Sequence, residues 1–327
     1  MKLINTLSIL IFLFIAVACS SESDSVMNDI DNKGDVPTSK EVVAAFNISL
    51  TGNSIQTRSE GGEEYKDAEG NLVQNAQDSE KNITNCFIAA VSEDKVLSSF
   101  EATDLSSIKM LVKISDTYQP TLTFVAITNV SESTITDLLS KSSFSSIKNV
   151  TLTESPDALV KFGYKEITEY TIDDKKIDIT IPLTQRTAAV ELESFKVNGK
   201  DAVVKSLELV NIKSETLVDG EKETGKYTSS IKRIPDSESY AGVRLYAYEN
   251  TTEKATALKI TYIDENDVEF YRTYEIKTGE YKKILAGKLY KLSVSISPSK
   301  NDINFVVKDW HKNVVNVGDE NGNVMPN

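Results

Sequence analysis

Apolar and polar residues alternate along many short segments of this chain, and polar turns separate these segments. The clearest segment is residues 42–50, whose apolar positions are Val42, Ala44, Phe46, Ile48 and Leu50. A period of two residues predicts a β-strand that buries one of its faces. Because similar segments recur along the chain, the pattern indicates a mainly β protein.

Further strand signals and one helix signal fill the rest of the first half. The segments ITNCFIAAV and KVLSSFEA bracket the turn Ser92-Glu93-Asp94, and LTFVAITNV is apolar on both faces. The helix signal is SESTITDLLSK, in which Ser131 can cap the N-terminus. Its apolar positions Ile135, Leu138 and Leu139 are expected on one face. The segment IDITIPL closes this half.

The second half shows strand signals only. The segment TAAVELESFKV leads into Asn198-Gly199, the dipeptide that best fits a type I′ hairpin turn. Short strands at regular spacing with polar turns between them are typical of β-sandwiches. We place a boundary near Thr184 and expect two β-sandwich-like domains, 41–184 and 185–327, with one or two short helices.

Two polar segments flank the first strand. Residues 20–40 have few apolar residues and no period, so we expect a flexible tether over residues 19–40. Residues 51–82 are polar and carry Arg58 near their start. Loops of this length without apolar periodicity are usually functional or mobile, and we expect a loop of that kind here.

The first residues have the features of a bacterial lipoprotein signal peptide, expected over residues 1–18. A positive charge precedes Ile9–Ala18, an unbroken run of apolar or small residues that is too short to span a membrane. The sequence Ala16-Val17-Ala18-Cys19 is similar to a lipobox, with alanine in place of the usual leucine. We expect cleavage between Ala18 and Cys19 and acylation of Cys19. The alternative is an ordinary signal peptide that leaves a free terminal cysteine.

The charge balance limits the partners. The chain carries 36 basic and 49 acidic residues, for a net charge of -13, and removal of residues 1–18 takes away only Lys2 and gives -14. An acidic chain of this kind argues against binding to nucleic acid or to anionic lipid surfaces. Cys86 lies in an apolar stretch and is expected to be a buried, inert thiol. Once Cys19 is acylated, no intrachain disulfide can form.

Motifs for catalysis are scarce. His311 is the only histidine, and we interpret it as a solvated turn residue. Zinc sites built from His and Cys are excluded by count, and neither GxGxxG nor GxxxxGK[ST] is present. The acidic residues leave a glycosidase-type carboxylate pair open, but no pair stands out. We therefore expect no cofactor, no metal and no enzymatic activity.

The order of these features resembles the fimbrillin family of Bacteroides-type bacteria, whose members are subunits of the type V pilus. The stretches that carry the resemblance are AAFNISLTGNSIQTRS, EKNITNCFIAAVSEDKVL, FVAITNV, IPLTQRTAAVELESF, and KLYKLSVSI followed by FVVKDW. The resemblance spans residues 1 to about 317. It implies two transthyretin-like β-sandwich domains and a structural role.

The resemblance also implies a route from a lipoprotein precursor to a polymer. An arginine-specific protease cuts in the loop after the first strand, and by position this cut falls between Arg58 and Ser59. The first strand, a pro-strand at 42–50, then leaves, and a C-terminal strand of another subunit fills the groove. Candidate donor positions within residues 301–317 are Ile303, Phe305, Val307, Val315 and Val317. The alternatives are an ordinary exposed arginine and ordinary edge strands.

Physical chemistry supports strand exchange on separate grounds. Loss of an alternating strand leaves a groove of apolar side chains and unpaired backbone groups, which accepts any strand with the same alternation. Head-to-tail insertion builds an open filament instead of a closed dimer.

We therefore expect a subunit of surface fimbriae that serves cell adhesion and starts as a lipid-anchored precursor in the outer membrane. Its expected partners are other fimbrial subunits, the maturation protease and a surface receptor. The alternative is a monomeric surface lipoprotein that binds a glycan or a host protein.

Overall fold

Strands make up most of the folded chain, because the two-residue alternation lets each strand bury one face and expose the other. The computed structural model describes residues 41–51, 77–115, 120–170, 177–277, 283–297, 300–309 and 314–317. These described residues all belong to one compact unit. The fold is mainly β, as the sequence predicts.

The described first half contains nine strands and three short helices, one helix more than expected. The strands are β1 (Glu41–Thr51), β2 (Cys86–Ser92), β3 (Lys95–Ala102), β4 (Ile108–Ser115), β5 (Leu122–Thr128), β6 (Thr151–Leu152), β7 (Lys161–Ile167), β8 (Ile177–Pro182) and β9 (Thr184–Gln185). The helices are α1 (Asp78–Lys81), α2 (Glu132–Leu139) and α3 (Phe144–Lys148). A 3-10 turn lies at Pro156–Ala158.

Two sheets of the first half pack face to face. A three-stranded sheet has the order β4-β1-β8, and a five-stranded sheet has the order β3-β2-β5-β7-β9. Apolar side chains from both sheets form one core, which includes Phe46, Cys86, Met110, Phe124 and Ile181. This arrangement is the β-sandwich that the alternating pattern predicts.

Helices α2 and α3 cover the other face of the five-stranded sheet. Ile135 and Leu138 of α2 and Ile147 of α3 pack there against apolar residues of β2 and β5. This second apolar face explains why LTFVAITNV has no polar side. Ser131 caps α2 by accepting a hydrogen bond from Thr134, as predicted. The expectation for Leu139 is wrong: it is 42% exposed, because the buried face of the helix runs through Thr134, Ile135 and Leu138.

The described second half contains eleven strands. They are β10 (Thr187–Val197), β11 (Lys200–Asp201), β12 (Val203–Lys213), β13 (Thr216–Leu217), β14 (Tyr227–Arg233), β15 (Arg244–Tyr248), β16 (Ala257–Ile263), β17 (Glu269–Glu275), β18 (Lys288–Ser297), β19 (Lys300–Asp309) and β20 (Val314–Val317).

These strands form a second pair of packed sheets. One sheet has the order β11-β10-β18-β19-β20, with β15 also paired to β10, and the other has the order β14-β12-β16-β17. Their facing side chains make a separate core, which includes Leu192, Leu209, Ile260, Tyr290 and Leu292. The short strand β13 pairs with β6 of the first half. The exact boundary near Thr184 stays a prediction.

Both predicted tight turns have the backbone that a type I′ turn requires. The φ angles are 49° at Glu93 and 68° at Asp94, and 53° at Asn198 and 78° at Gly199. Left-handed φ values at both central positions match the twist of the flanking strands. The predicted loop 51–82 needs two corrections, because Thr51 belongs to β1 and Asp78–Lys81 fold into α1. Helix α1 forms there because Glu80 accepts a hydrogen bond from the backbone N–H of Gln77.

Candidate functional site

The first strand lies in the middle of its sheet and not at an edge. Strand β1 pairs antiparallel with β4, from Glu41 opposite Ser115 to Ile48 opposite Ile108. On its other side it pairs in parallel with β8, from Phe46 opposite Ile177 to Thr51 opposite Pro182. The reading of β1 as an ordinary edge strand is therefore wrong. Removal of β1 would separate β4 from β8 and open a groove with a free edge on each side.

The predicted alternation of β1 matches the burial of its side chains. Ala44, Phe46 and Ile48 are buried, with exposed fractions of 4%, 1% and 5%, and Val42 and Leu50 pack against the same core from its ends. The floor and walls of the groove include Ile108, Met110, Val112, Ile114, Ile179 and Ile181. Burying a large apolar side chain stabilises the fold by roughly 1.5 to 3 kcal/mol. An empty groove is therefore costly and favours a replacement strand.

Phe46 occupies the centre of the groove. Its ring centroid lies 4.7 Å from that of Phe124 and 6.2 Å from that of Tyr170. The Tyr170 hydroxyl donates a hydrogen bond to the carbonyl of Pro120 at 2.7 Å, which fixes the position of its ring. A strand that enters the groove must bring a side chain that fills this aromatic position.

The outer face of β1 makes few specific contacts. Val43 is 56% exposed, and Leu111 on β4 is 65% exposed. The Asn47 side-chain amide donates to Asp178 at 2.8 Å, and the hydroxyls of Ser49 and Thr180 lie 2.9 Å apart. Both polar contacts are exposed, so water can replace them when β1 leaves. The strand is held mainly by its backbone ladders and its inward apolar side chains.

Four predicted processing residues lie outside the described residues. They are Ala18, Cys19, Arg58 and Ser59. Acylation of Cys19 and cleavage after Arg58 therefore stay predictions. The described chain resumes at Gln77, which is followed directly by α1.

The candidate donor positions lie on two strands of the second half. Ile303, Phe305 and Val307 belong to β19, which pairs antiparallel with β18 from Lys300 opposite Ser297 to Asp309 opposite Lys288. Val315 and Val317 belong to β20, which among the described strands pairs with β19 alone and forms the edge of this sheet. An edge strand can leave with the loss of one ladder instead of two. Which of the two strands is donated stays a prediction.

The described residues offer little reactive chemistry, as the cysteine thiol and the metal-binding side chains show. The Cys86 side chain is fully buried, and burial raises the pKa of its thiol to about 12, so the thiol is inert as predicted. No cluster of three metal-binding side chains occurs within the described ranges. Among the helices that the structure describes, none is long and apolar enough to cross a membrane. His311 lies outside the described residues.

The sequence did not single out Tyr170 or β8 as parts of the groove. Tyr170 lies in a loop, and its contact with Phe46 joins residues far apart in the chain. The run IDITIPL did predict a strand, but nothing in it identified β1 as its partner. Parallel pairing leaves no local signal, because no short turn connects the two strands.

Solved structures of fimbrial proteins share this fold. A fimbrial assembly protein from Parabacteroides distasonis superposes with a TM-score of 0.56 at 15% identity, over 85% of this chain and all of that one. The tip fimbrial protein Mfa3 from Porphyromonas gingivalis, truncated at its C-terminus, gives a TM-score of 0.57 at 10% identity, over 83% and 100% of the two chains. A fimbrilin, FimA, from the same species gives 0.51 at 12% identity, over 81% and 96%.

No protein-family model matches the chain, and the comparison with curated proteins finds no match. The solved structures named here are fimbrial proteins. At these identities the likeness concerns the fold. The resemblance inferred from the sequence is confirmed at that level, and the chain has the fimbrillin-type fold of Bacteroidales fimbrial proteins.

Proposed function

We propose that this chain is a subunit of surface fimbriae that serves cell adhesion and is assembled by strand exchange with other subunits. In this proposal the precursor is acylated at Cys19 and anchored in the outer membrane. A protease then cuts after Arg58, β1 leaves, and a strand from the C-terminal region of another subunit enters the groove. The shared fold of the fimbrial neighbours supports the cell-surface fimbrium as the location.

The observation that carries the proposal is the central position of β1 between β4 and β8. The strand buries Ala44, Phe46 and Ile48, and the side-chain hydrogen bonds of Asn47 and Ser49 to β8 are exposed or half-buried. It is also the first described strand, and residues 52–76 separate it from the next described residue. A cut within those residues leaves β1 joined to the rest of the fold by non-covalent contacts alone.

The test is mass spectrometry of the protein taken from its native surface, alongside two variants. Arg58→Ala removes the proposed cleavage site, and Lys66→Ala removes one positive charge from the same polar segment as a matched control. We expect wild type and Lys66→Ala to begin at Ser59 and to form ladders in gels. We expect Arg58→Ala to stay acylated at Cys19 and monomeric. A wild-type chain that retains acylated Cys19 and residues 42–50 would contradict the proposal for a polymerised subunit.

One observation favours the second candidate, a monomeric surface binder. Phe270 and Tyr271 on the edge strand β17 are 42% and 63% exposed, and Val268 beside them is 48% exposed. Four other aromatic residues on strands of the second half, Tyr246, Tyr248, Tyr262 and Tyr274, are buried. Binding to a glycan array that is lost on Phe270→Ala together with Tyr271→Ala, with no polymer formed, would support this candidate.

A further inference from the structure

Residues 77–85 contact both halves of the chain, and we call them the clasp segment. They follow directly after residues 52–76 and lead into β2. Helix α1 lies within them. Hydrogen bonds join the clasp segment to Gly242 and β15 in the second half, to Gln185 at the junction, and to Asn129 and Val130 before α2 in the first half. None of these hydrogen bonds involves β4, β1 or β8.

Glu80 is the centre of the clasp segment. Its side chain is completely buried, and its carboxylate lies 2.7 Å from a terminal nitrogen of Arg244. The Tyr246 hydroxyl donates to the other carboxylate oxygen at 2.8 Å. The backbone N–H of Gln77 donates to the same oxygen as Arg244 does, at 2.7 Å. A buried carboxylate with three strong donors has one well-defined position.

Arg244 is itself held from two sides. Its Nε donates to Glu191 on β10 at 2.9 Å, while its terminal nitrogen binds Glu80. Burial disfavours the charged guanidinium, but the hydrogen bonds with Glu191 and Glu80 outweigh that effect and raise the pKa of Arg244. Lys291 on β18 lies 3.4 Å from the remaining oxygen of Glu191. Glu80 thus joins Arg244, Glu191 and Lys291 of the second half in one charge network, and its charge also interacts with the buried Lys161 amine of the first half.

The neighbours of Glu80 in the clasp segment bind the first half and the junction. The Asn82 carbonyl accepts from the Asn129 amide at 3.0 Å, and the Thr84 backbone N–H donates to the Asn129 side-chain oxygen at 2.9 Å. The Asn85 amide donates to Val130 at 2.7 Å. Asn129 has the left-handed φ of 61°, which turns its side chain toward these groups. The Glu80 carbonyl accepts from buried Gln185 at 3.2 Å.

An apolar contact lies beside this network. Leu159 of the first half packs with Ala189, Tyr246 and Leu289 of the second half. The Tyr248 hydroxyl also donates to the carbonyl of Glu154 at 2.8 Å. Apolar packing supplies free energy, whereas a buried ion pair mainly defines position, because its desolvation cost offsets much of its attraction. The two together fix one arrangement of the halves.

We propose that residues 77–85 are a clasp that locks the two halves together and confines strand exchange to the groove, with Glu80 as its key positioning residue. The hydrogen bonds and ion pairs named above are present in the uncut chain and none of them involves β1, whereas Ile83 packs against the core that β1 shares. The polar contacts of the clasp therefore do not depend on the proposed cleavage. If the cleavage occurs, this clasp holds residues 77–85 against both halves of the fold after β1 has gone.

The test is hydrogen–deuterium exchange of the full, uncut chain, followed by mass spectrometry of peptides. Arg244→Met lies in the second half and removes the cation that hydrogen-bonds to buried Glu80, so we expect amide exchange in residues 77–85 to rise at least about tenfold. Arg272→Met, an exposed arginine on β17, is the matched control and is expected to leave that peptide unchanged. Exchange in β5 should stay the same in both variants.

A second variant keeps the proposal testable if Arg244→Met fails to fold. Tyr246→Phe removes only the hydroxyl that donates to Glu80, and we expect a smaller rise of about threefold to tenfold in the same peptide. Unchanged exchange of residues 77–85 in both folded variants would overturn the clasp. Because these measurements use the uncut chain, a failure here is distinct from a failure of cleavage at Arg58, which the mass of the native protein reports.

Discussion

The rings of Phe46 and Phe124 lie 4.7 Å apart, centroid to centroid, with their planes at 53°. This pair joins the first strand of the chain to the opposite sheet of its sandwich. Aromatic pairs in tilted geometry contribute about 0.5 to 1.5 kcal/mol beyond the area that they bury. The contact therefore makes Phe46 the largest single contributor to the retention of β1 before any exchange takes place.

Truncation of this side chain should loosen the first strand. We expect Phe46→Ala to lower the free energy of unfolding of the uncut chain by about 3 to 5 kcal/mol, through lost burial and the cavity left behind. Val43→Ala on the same strand is the matched control, because Val43 is 56% exposed and points away from the core. Urea unfolding of both variants measures the difference. Equal free energies of unfolding would show that β1 is not anchored through Phe46.

Gly163 on β7 is a second sensitive position, because β7 and the end of β8 approach closely there. A Cβ atom at this residue would lie 1.9 Å from the carbonyl oxygen of Pro182. That oxygen belongs to the backbone and cannot turn aside, so we expect Gly163→Ala to destabilise the fold by about 2 kcal/mol or more. Gly225→Ala is the control, since its Cβ would meet only the Glu215 side chain at 3.6 Å. Thermal unfolding that leaves both variants alike would contradict this prediction.

The strands and tight turns of this protein could be predicted because their signals are local. The alternation of β1 and the pair Asn198-Gly199 each need only a few neighbouring residues to be recognised. The partners of β1 could not be predicted in the same way. Asn47 and Asp178 bind each other across 131 positions of sequence, and no local pattern records that pairing.

The sequence also did not predict which charged side chains are buried. Glu80 lies in the polar run NAQDSEKN, which is typical of a solvated loop. Its complete burial depends on Arg244, 164 positions further along the chain. Likewise Lys161 opens a strand and could be taken for a solvated strand end, yet its side chain is fully buried. Periodicity describes faces of single elements, whereas these contacts depend on how the elements come together.

The Cys86 thiol should resist alkylation in the folded protein. Its pKa of about 12 means that roughly one thiol in ten thousand is ionised at pH 8, and the thiolate is the reactive form. We expect peptide mass spectrometry to find Cys86 unmodified after treatment of the native chain with iodoacetamide, and fully modified in urea. Rapid labelling of the native chain at this residue would show that β2 opens readily.

The buried amine of Lys161 should make stability depend on pH. Burial lowers the pKa of Lys161 to about 8, against the opposing effect of the charge on Glu80. Below pH 8 both the folded and unfolded chains carry the charge, and burying it costs free energy. Between pH 8 and about 10.4 only the unfolded chain stays protonated there, so the free energy of unfolding rises with pH.

Replacement of this lysine should remove that rise. Below pH 8 we expect Lys161→Met to have a higher free energy of unfolding than wild type. This difference should shrink by up to about 3 kcal/mol as the pH rises from 8 to 10.4. Lys165→Met on the same strand is the control, because Lys165 is exposed and its replacement should leave the pH dependence unchanged. Urea unfolding at pH 7, 8, 9 and 10 measures the three curves. Parallel curves for Lys161→Met and wild type would mean that the amine keeps its charge in the fold, held by Glu80 and the Asn82 carbonyl that it contacts.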